Sequence, residues 1–380
     1  MFAMQGIHSS IAKLKQTALA LSIGLGMGVT LQAESSPELI KQLQSLKSSD
    51  ASNQIATDTI KQLNAANDVT LIQSLTAMKG ATPVGRNWLM GLANSLYRKS
   101  GKSQTAELNK FLSDASQDGE ARYTVFKWLT ASNAELRKTL LDGMKQDPSP
   151  ELRYLAISEA VEAKPDAKEL LSLLDSARHA EQVVSIIGLL KEKGTVVDQV
   201  KQFGLLTEWK LIGPFDNVGT VNFDKVFPVE SDWINGKVKD EYESKLVVDG
   251  KNVNAKWINE SAKSEDGTID IAALYSNEKG CIVYAATEFD SEKEQDAELR
   301  LGCINGNKTW LNGKLVMSNE VYHTDMKIDQ YTEPVRLKAG KNQILVKISQ
   351  NEQKEQWAQR FAFQLRVSDS TGKAILAKGK

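Results

Sequence analysis

The residue types that carry most hydrolytic and metal-dependent chemistry are sparse in this chain and widely spaced. There are three histidines, and His8 falls in a leader-like segment. That leaves His179 and His323, one in each half, as candidates for a general base or a metal ligand. A Ser-His-Asp triad or a multi-histidine zinc site needs such a residue grouped with partners, and neither histidine has them nearby in sequence. Gly101-Lys102-Ser103 lacks a glycine five residues upstream and follows a helical pattern rather than a strand, so it is no phosphate-cradling Walker loop. Carboxylates are the remaining route to catalysis. Asp216, Asp224 and Glu230 lie in one long segment, and two acids at the right separation hydrolyse glycosidic bonds. The run DSEKEQD at 290–296 alternates Asp290, Glu292, Glu294 and Asp296. It could ligate Ca2+, although it lacks the glycine of an EF-hand loop; a solvated loop is the ordinary reading, and no metal or other cofactor is expected.

For binding without catalysis, flat aromatic faces matter most, because they give a sugar ring or an extended chain contact area at little entropic cost. Trp233, Trp257, Tyr322 and Trp357 fall in loops or beside strands and are the candidate ligand contacts. Trp209 and Trp310 sit in apolar patterns and are expected in a core.

The elements that must position these residues come in two kinds. From residue 34 to 204 the pattern is helical, with Leu39, Ile40, Leu43 and Leu46 at spacings of three and four. Ser36 before Pro37, Ser132 three residues before Glu135, and Ser149 before Pro150 read as helix starts. EARYTVFKWL at 120–129 and ELRYLAISEA at 151–160 share Glu-x-Arg-Tyr at an offset of 31 residues, and EQVVSIIGLL begins 30 residues further on. That offset is one helical hairpin, the unit of a stacked solenoid.

Residues 205–380 alternate with period two. RFAFQLRV at 360–367 places Phe361, Phe363, Leu365 and Val367 on one face and Arg360, Gln364 and Arg366 on the other. CIVYAATEF, AELRLGCI and NQILVKISQ are further strands, and short strands separated by turn signals predict two antiparallel sheets face to face. Asn305-Gly306 and Asn312-Gly313 are read as tight turns with positive φ. Cys281 and Cys303 share apolar faces with their neighbours; they are placed to pair in an oxidising compartment or to pack as small buried thiols, and the sequence leaves both open.

Composition bounds the rest. With 41% hydrophobic and 25% charged residues and a net charge of −1, this is an ordinary globular chain, without the basic excess of a nucleic-acid binder. Lys13 and Lys15 precede the apolar run ALALSIGLGMGVTL and a small residue, Ala33, which reads as a signal peptide over 1–33. Retention as an anchor is the alternative, and no other segment is long enough to span a membrane. The expected location is secreted or periplasmic.

Several of these stretches carry a resemblance. WKLIGPFDN at 209–217, FDKVFPVE at 223–230, LRLGCINGNKTWLNGKLV at 299–316, AGKNQILVKISQ at 339–350 and Trp357 before FAFQLRV resemble the galactose-binding-like jelly-roll module. They are most similar to the sugar-binding-type domain of family 2 glycoside hydrolases. DPSPELRYLAISEAV at 147–161 resembles the start of a HEAT repeat. Many relatives of the jelly roll carry an acidic pair before the first glycine, where this chain has Ile304-Asn305. The resemblance implies an accessory, binding-type scaffold, and fold alone does not settle function.

The expectation is thus a multidomain α plus β protein: a HEAT-like α-solenoid over 34–204 followed by a galactose-binding-like antiparallel β-sandwich (jelly roll) over 205–380. Its expected role is non-catalytic recognition, the β half holding a glycan or an envelope protein while the helices dock a partner. The alternatives are a polysaccharide-acting hydrolase, or its accessory subunit, using loop carboxylates, and a structural envelope spacer.

Overall fold

The computed structural model describes residues 35–275 and 278–379, so the expected signal segment lies outside the described residues. The chain is an α plus β protein in two parts. Eleven described α-helices run from Ser36–Gln44 to Gln199–Phe203, and strands begin at Glu208. Leu39, Ile40 and Leu43 are buried as their spacing requires. Ser149 caps its helix, accepting from Leu152 N at 3.5 Å. Two starts lie one residue from their expected places: Ser35 rather than Ser36 precedes the first helix, with the Glu38 carboxylate accepting from its N–H at 2.9 Å. Asn133, not Ser132, accepts from Leu136 N at 2.9 Å. Asn is at least as good a cap as Ser.

The three similar segments are the helices Gly119–Thr130, Pro150–Glu162 and Ala180–Glu192. Each packs on the helix before it, the first also packs on the second, and the second on the third. The shared arginine explains part of this order. From the first of the three helices Arg122 crosses to the turn before the second, where its guanidinium meets both oxygens of Asp147 at 2.6 and 2.8 Å while Nε donates to Leu112 O. A forked pair of this kind fixes orientation as well as distance.

The strands are β1 Glu208–Asp216, β2 Glu241–Val248, β3 Lys251–Lys256, β4 Ile258–Ser261, β5 Ile269–Asp270, β6 Cys281–Ser291, β7 Gln295–Cys303, β8 Gly306–Leu311, β9 Lys314–Asn319, β10 Tyr331–Leu337, β11 Gly340–Gln350 and β12 Ala362–Ser368. They form a six-stranded antiparallel sheet, β4-β1-β6-β11-β8-β9, a four-stranded one, β10-β7-β12-β5, and the β2-β3 hairpin. Leu211, Val283, Ala285, Ile344, Val346 and Ile348 of the larger sheet share one core with Leu299, Leu301, Phe363, Leu365 and Val367 of the smaller.

The opposite face of the six-stranded sheet is covered as well. Ile212, Tyr284, Ala286, Trp310 and Leu345 pack under Phe227, Val229 and Tyr242, contributed by the segment between β1 and β4. The four-stranded sheet turns its outer face to the helices: Arg366, on the polar face of RFAFQLRV, is 1% exposed, and its Nη1 donates to Phe203 O at the end of the helix Gln199–Phe203. Strands covered on both faces lose the contrast between core and solvent sides, and every residue of β12 is buried.

Asn312-Gly313 is the expected hairpin turn, with φ of 51° and 81°, between the paired strands β8 and β9. Asn305-Gly306 is not. It connects β7 to β8, which belong to different sheets, and neither residue is among those with positive φ. Gly306 opens β8 beneath two rings, where a Cβ would lie 3.3 Å from Phe223 Cε2 and 3.4 Å from Tyr322 Cζ. The glycine thus serves close approach rather than a turn. Cys281 and Cys303 are both free and buried in the shared core, each beside a backbone carbonyl, of Glu278 and Asn305 respectively.

Candidate ligand-binding loop end

β1, β7, β9 and β11 end, and β6, β8, β10 and β12 begin, at one end of the two sheets, so the loops following Asp216, Cys303, Asn319 and Gln350 gather there. Asn217, fully buried, donates through Nδ2 to Gln350 O at 3.2 Å and to Tyr322 Oη at 3.4 Å, tying three of these loops together. Burial raises the Tyr322 phenol, with the Asn217 hydrogen bond working against the rise. Next to it His323, at a φ of 58°, meets Asn351 Oδ1 through Nε2 at 2.7 Å. Its ring stands edge-on to Trp357 at 5.0 Å and 84°. Trp357 is 59% exposed. Beneath this surface both amide atoms of the buried Asn305, and Nδ1 of His323, have no protein partner among the described residues. An aromatic face, amides able to donate and accept, and an unused imidazole nitrogen are thereby collected within a few loops.

The four aromatic candidates do not form one site. Tyr322 and Trp357 belong to this end, on either side of His323. Trp233 and Trp257 meet elsewhere, on the segment covering the six-stranded sheet, with centroids 5.9 Å apart and planes tilted 42°. Trp257 Nε1 donates to Lys239 O at 3.1 Å, and both rings pack half-buried against the second core. Trp209 and Trp310 are buried as expected.

The carboxylates are engaged. Asp216 accepts from Asn222 Nδ2 at 2.9 Å, and Asp224 pairs with Lys308 at 2.5 Å. Glu230 is buried, accepting from Tyr284 Oη at 2.7 Å, with Lys347 Nζ at 3.5 Å. Burial pushes the Lys347 ammonium down to about 8, against the pull of the Glu230 charge, and burial followed by that same charge drives the Tyr284 phenol well up. This triad sits under Phe227, whose ring centroid is 5.5 Å from Nζ. Its effect is to pin the covering helix Pro228–Ile234 to the sheet.

The acidic run does not converge either. Glu294 and Asp296 are taken by Arg336 at 3.1 and 2.8 Å, and among the described residues no group of three or more potential ligands is placed to hold a metal ion. Sequence reasoning missed Asn217, His323 and Asn351 as one group. Their separations along the chain, 28 residues for His323–Asn351 and 133 for Asn217–Gln350, leave no local pattern to find.

No family model matches the chain, and no curated protein matches it. Among solved structures it is similar to a β-glucuronidase of Ruminococcus gnavus at 13% identity, over 43% of this chain and 28% of that one, with a TM-score of 0.25. A β-glucosidase of Kluyveromyces marxianus matches at 13% identity over 32% of this chain and 15% of the other, TM-score 0.23. An anti-sigma factor domain-containing protein from Clostridium clariflavum matches at 13% identity over 46% and 45%, TM-score 0.22. The chain spans less than half the length of each of these structures.

Proposed function

We propose that this chain is an exported recognition protein without catalytic activity, whose C-terminal half holds a glycan at the loop end built around Tyr322, His323 and Trp357. In this reading that half is a jelly-roll β-sandwich of galactose-binding-like type, and the helical half is a HEAT-like solenoid that docks a partner in the envelope. The observation that carries it is the exposed Trp357 ring, held edge-on by His323, whose Nε2 in turn meets the Asn351 amide oxygen. A flat apolar face beside a donor-acceptor amide suits a sugar ring, which presents apolar C–H faces and hydroxyl edges. Against the hydrolase reading, Asp216, Asp224 and Glu230 each have hydrogen-bonded or charged partners, whereas paired catalytic acids face a reacting bond across a cleft. Support for the solenoid comes from the sequential packing of the three similar helices.

The test is a glycan array probed with the exported chain and with Trp357→Ala. Retention of a glycan by the first and its loss by the second is expected. Capture of proteins with no glycan bound, or glycan cleavage, would turn the assignment to the envelope-protein or the hydrolase alternative.

A further inference from the structure

A second site follows from comparing two of the similar helices, and it lies outside the recognition surface just described. Arg122 and Arg153 occupy matching positions in the helices Gly119–Thr130 and Pro150–Glu162. Arg122 finds a carboxylate in the next turn, Asp147, two residues before the cap Ser149. In the turn after that, Ala177-Arg178 precedes the corresponding cap position, His179. Where the first arginine meets an acid, the second meets another arginine. Arg153 donates to the Asp147 carbonyl at 2.6 Å, and Arg178 to the carbonyls of Asp175 and Ala177 at 2.5 and 2.7 Å. Neither takes part in a salt bridge among the described residues. Arg153 is only 7% exposed. Burial, and after it the like charge of Arg178, press its guanidinium below the ordinary value.

Both arginines line a groove of about 880 Å³ between the helices and the outer face of the four-stranded sheet. Tyr154 and His179, edge-to-face at 5.0 Å, form part of its wall, and Arg300 and Thr371 lie on the sheet side. The start of the helix Ala180–Glu192 opens into the same groove, and the side chain of His179 does not cap it. Glu181, in the first turn of that helix, also lines the groove, while three other acids nearby are committed elsewhere. Glu298 and Asp329 hold Arg300 at 2.6 and 2.8 Å, and Asp369 accepts the N–H groups of Thr371 and Lys373 in its own turn. Two guanidinium groups with no carboxylate within salt-bridge distance, in a groove that excludes part of the solvent, have fork positions left for an anion.

We propose that this groove binds an oxyanion, the sulfate, phosphate or carboxylate group of a small acidic ligand, in a fork supplied by Arg153 and Arg178, and that the ligand is clasped between the helical half and the sheets. Tyr154 stacks on any ring the anion carries.

The experiment is thermal melting and calorimetric titration of the exported chain with sodium sulfate, sodium phosphate, glucuronate and neutral glucose, at ionic strength held constant with sodium chloride. At least one oxyanion is expected to raise the melting temperature and give saturable heat, with glucose silent; which of the three does so identifies the class of ligand. Arg178→Gln is expected to weaken that binding by about tenfold or more, and Arg178→Lys, which keeps the charge without the fork, by less. Trp357→Ala leaves the response intact, which separates this site from the glycan surface. No response of the unaltered chain to any of the three oxyanions overturns the proposal, as does an equal response from both Arg178 variants and the unaltered chain.

Discussion

Arg366 and Asp329 are joined by two parallel hydrogen bonds, Nε to Oδ1 and Nη2 to Oδ2, both 2.6 Å long. The aspartate comes from the loop before β10, at a φ of 63°, and the arginine from β12. Arg366 also donates to the carbonyls of Phe203 and Gly372 and lies over the Phe203 ring at 5.4 Å, so one side chain ties the helix Gln199–Phe203, the four-stranded sheet and the C-terminal segment together. Its cross-strand neighbour Arg300 shares the same aspartate. Two like charges on adjacent strands are tolerable because Asp329 stands between them and Glu298 also pairs with Arg300.

Replacing Arg366 with Met should therefore cost about 3 kcal/mol, since it leaves two buried carbonyls without their donor and Asp329 with Arg300 alone. Urea denaturation of the variant checks this. A loss under about 0.5 kcal/mol, typical of surface positions, would mean that this joint is not what holds the halves together.

The pair Lys347 and Glu230 makes a prediction about alkaline pH. Burial lowers the Lys347 ammonium to about 8 in the folded chain, while an unfolded lysine keeps its proton to about 10.4. Between those values the unfolded state binds more protons, so stability rises with pH. The gain through one unit is about 1 kcal/mol from pH 8 to 9. Denaturation at the two pH values should show the rise in the unaltered chain and its absence in Lys347→Met, which is also less stable at pH 7 because Glu230 keeps only the Tyr284 hydroxyl.

Two glycines at the loop end separate tight from yielding contacts. A Cβ on Gly302 would stand 2.5 Å from the Lys327 carbonyl oxygen, whereas one on Gly306 would meet only the rings of Phe223 and Tyr322, at 3.3 and 3.4 Å. Backbone cannot step aside as a side chain can. Gly302→Ala is expected to cost about 2 kcal/mol or more and Gly306→Ala about 1 kcal/mol or less. Thermal melts rank the two, and the reverse order would contradict this packing.

The thiols are expected to be inert. Burial pushes both Cys281 and Cys303 up to about 12, and the thiolate is the reactive form. Ellman's reagent should find no thiol in the native protein and both in denaturant, and dithiothreitol should leave the melting temperature unchanged. A drop on reduction would reveal a disulfide.

Much of this arrangement was legible in the residues and some was not. The period-two run 360–367 gave the right faces for Phe363 and Arg366, and the spacing of Leu39, Ile40 and Leu43 gave a buried stripe, because local periodicity reports which side faces a core. It does not report what covers the other side. Arg366 therefore reads as a solvent-facing residue until the helices are seen over it. Asn305-Gly306 was misread for a related reason: the dipeptide signals a turn only if the flanking strands pair, and β7 and β8 lie in different sheets. At the loop end Tyr322 and Trp357 were visible as unassigned aromatics, but Asn217, His323 and Asn351 are ordinary polar residues until the fold gathers them.

The most direct test of recognition at this end is calorimetric titration of the protein with a glycan that it retains, alongside Trp357→Ala and Trp233→Ala. The account predicts that Trp357→Ala lowers affinity by about tenfold or more at an unchanged melting temperature, in line with the loss of one stacked aromatic, while Trp233→Ala binds normally. Unaltered affinity in Trp357→Ala, or a loss confined to Trp233→Ala, would contradict it.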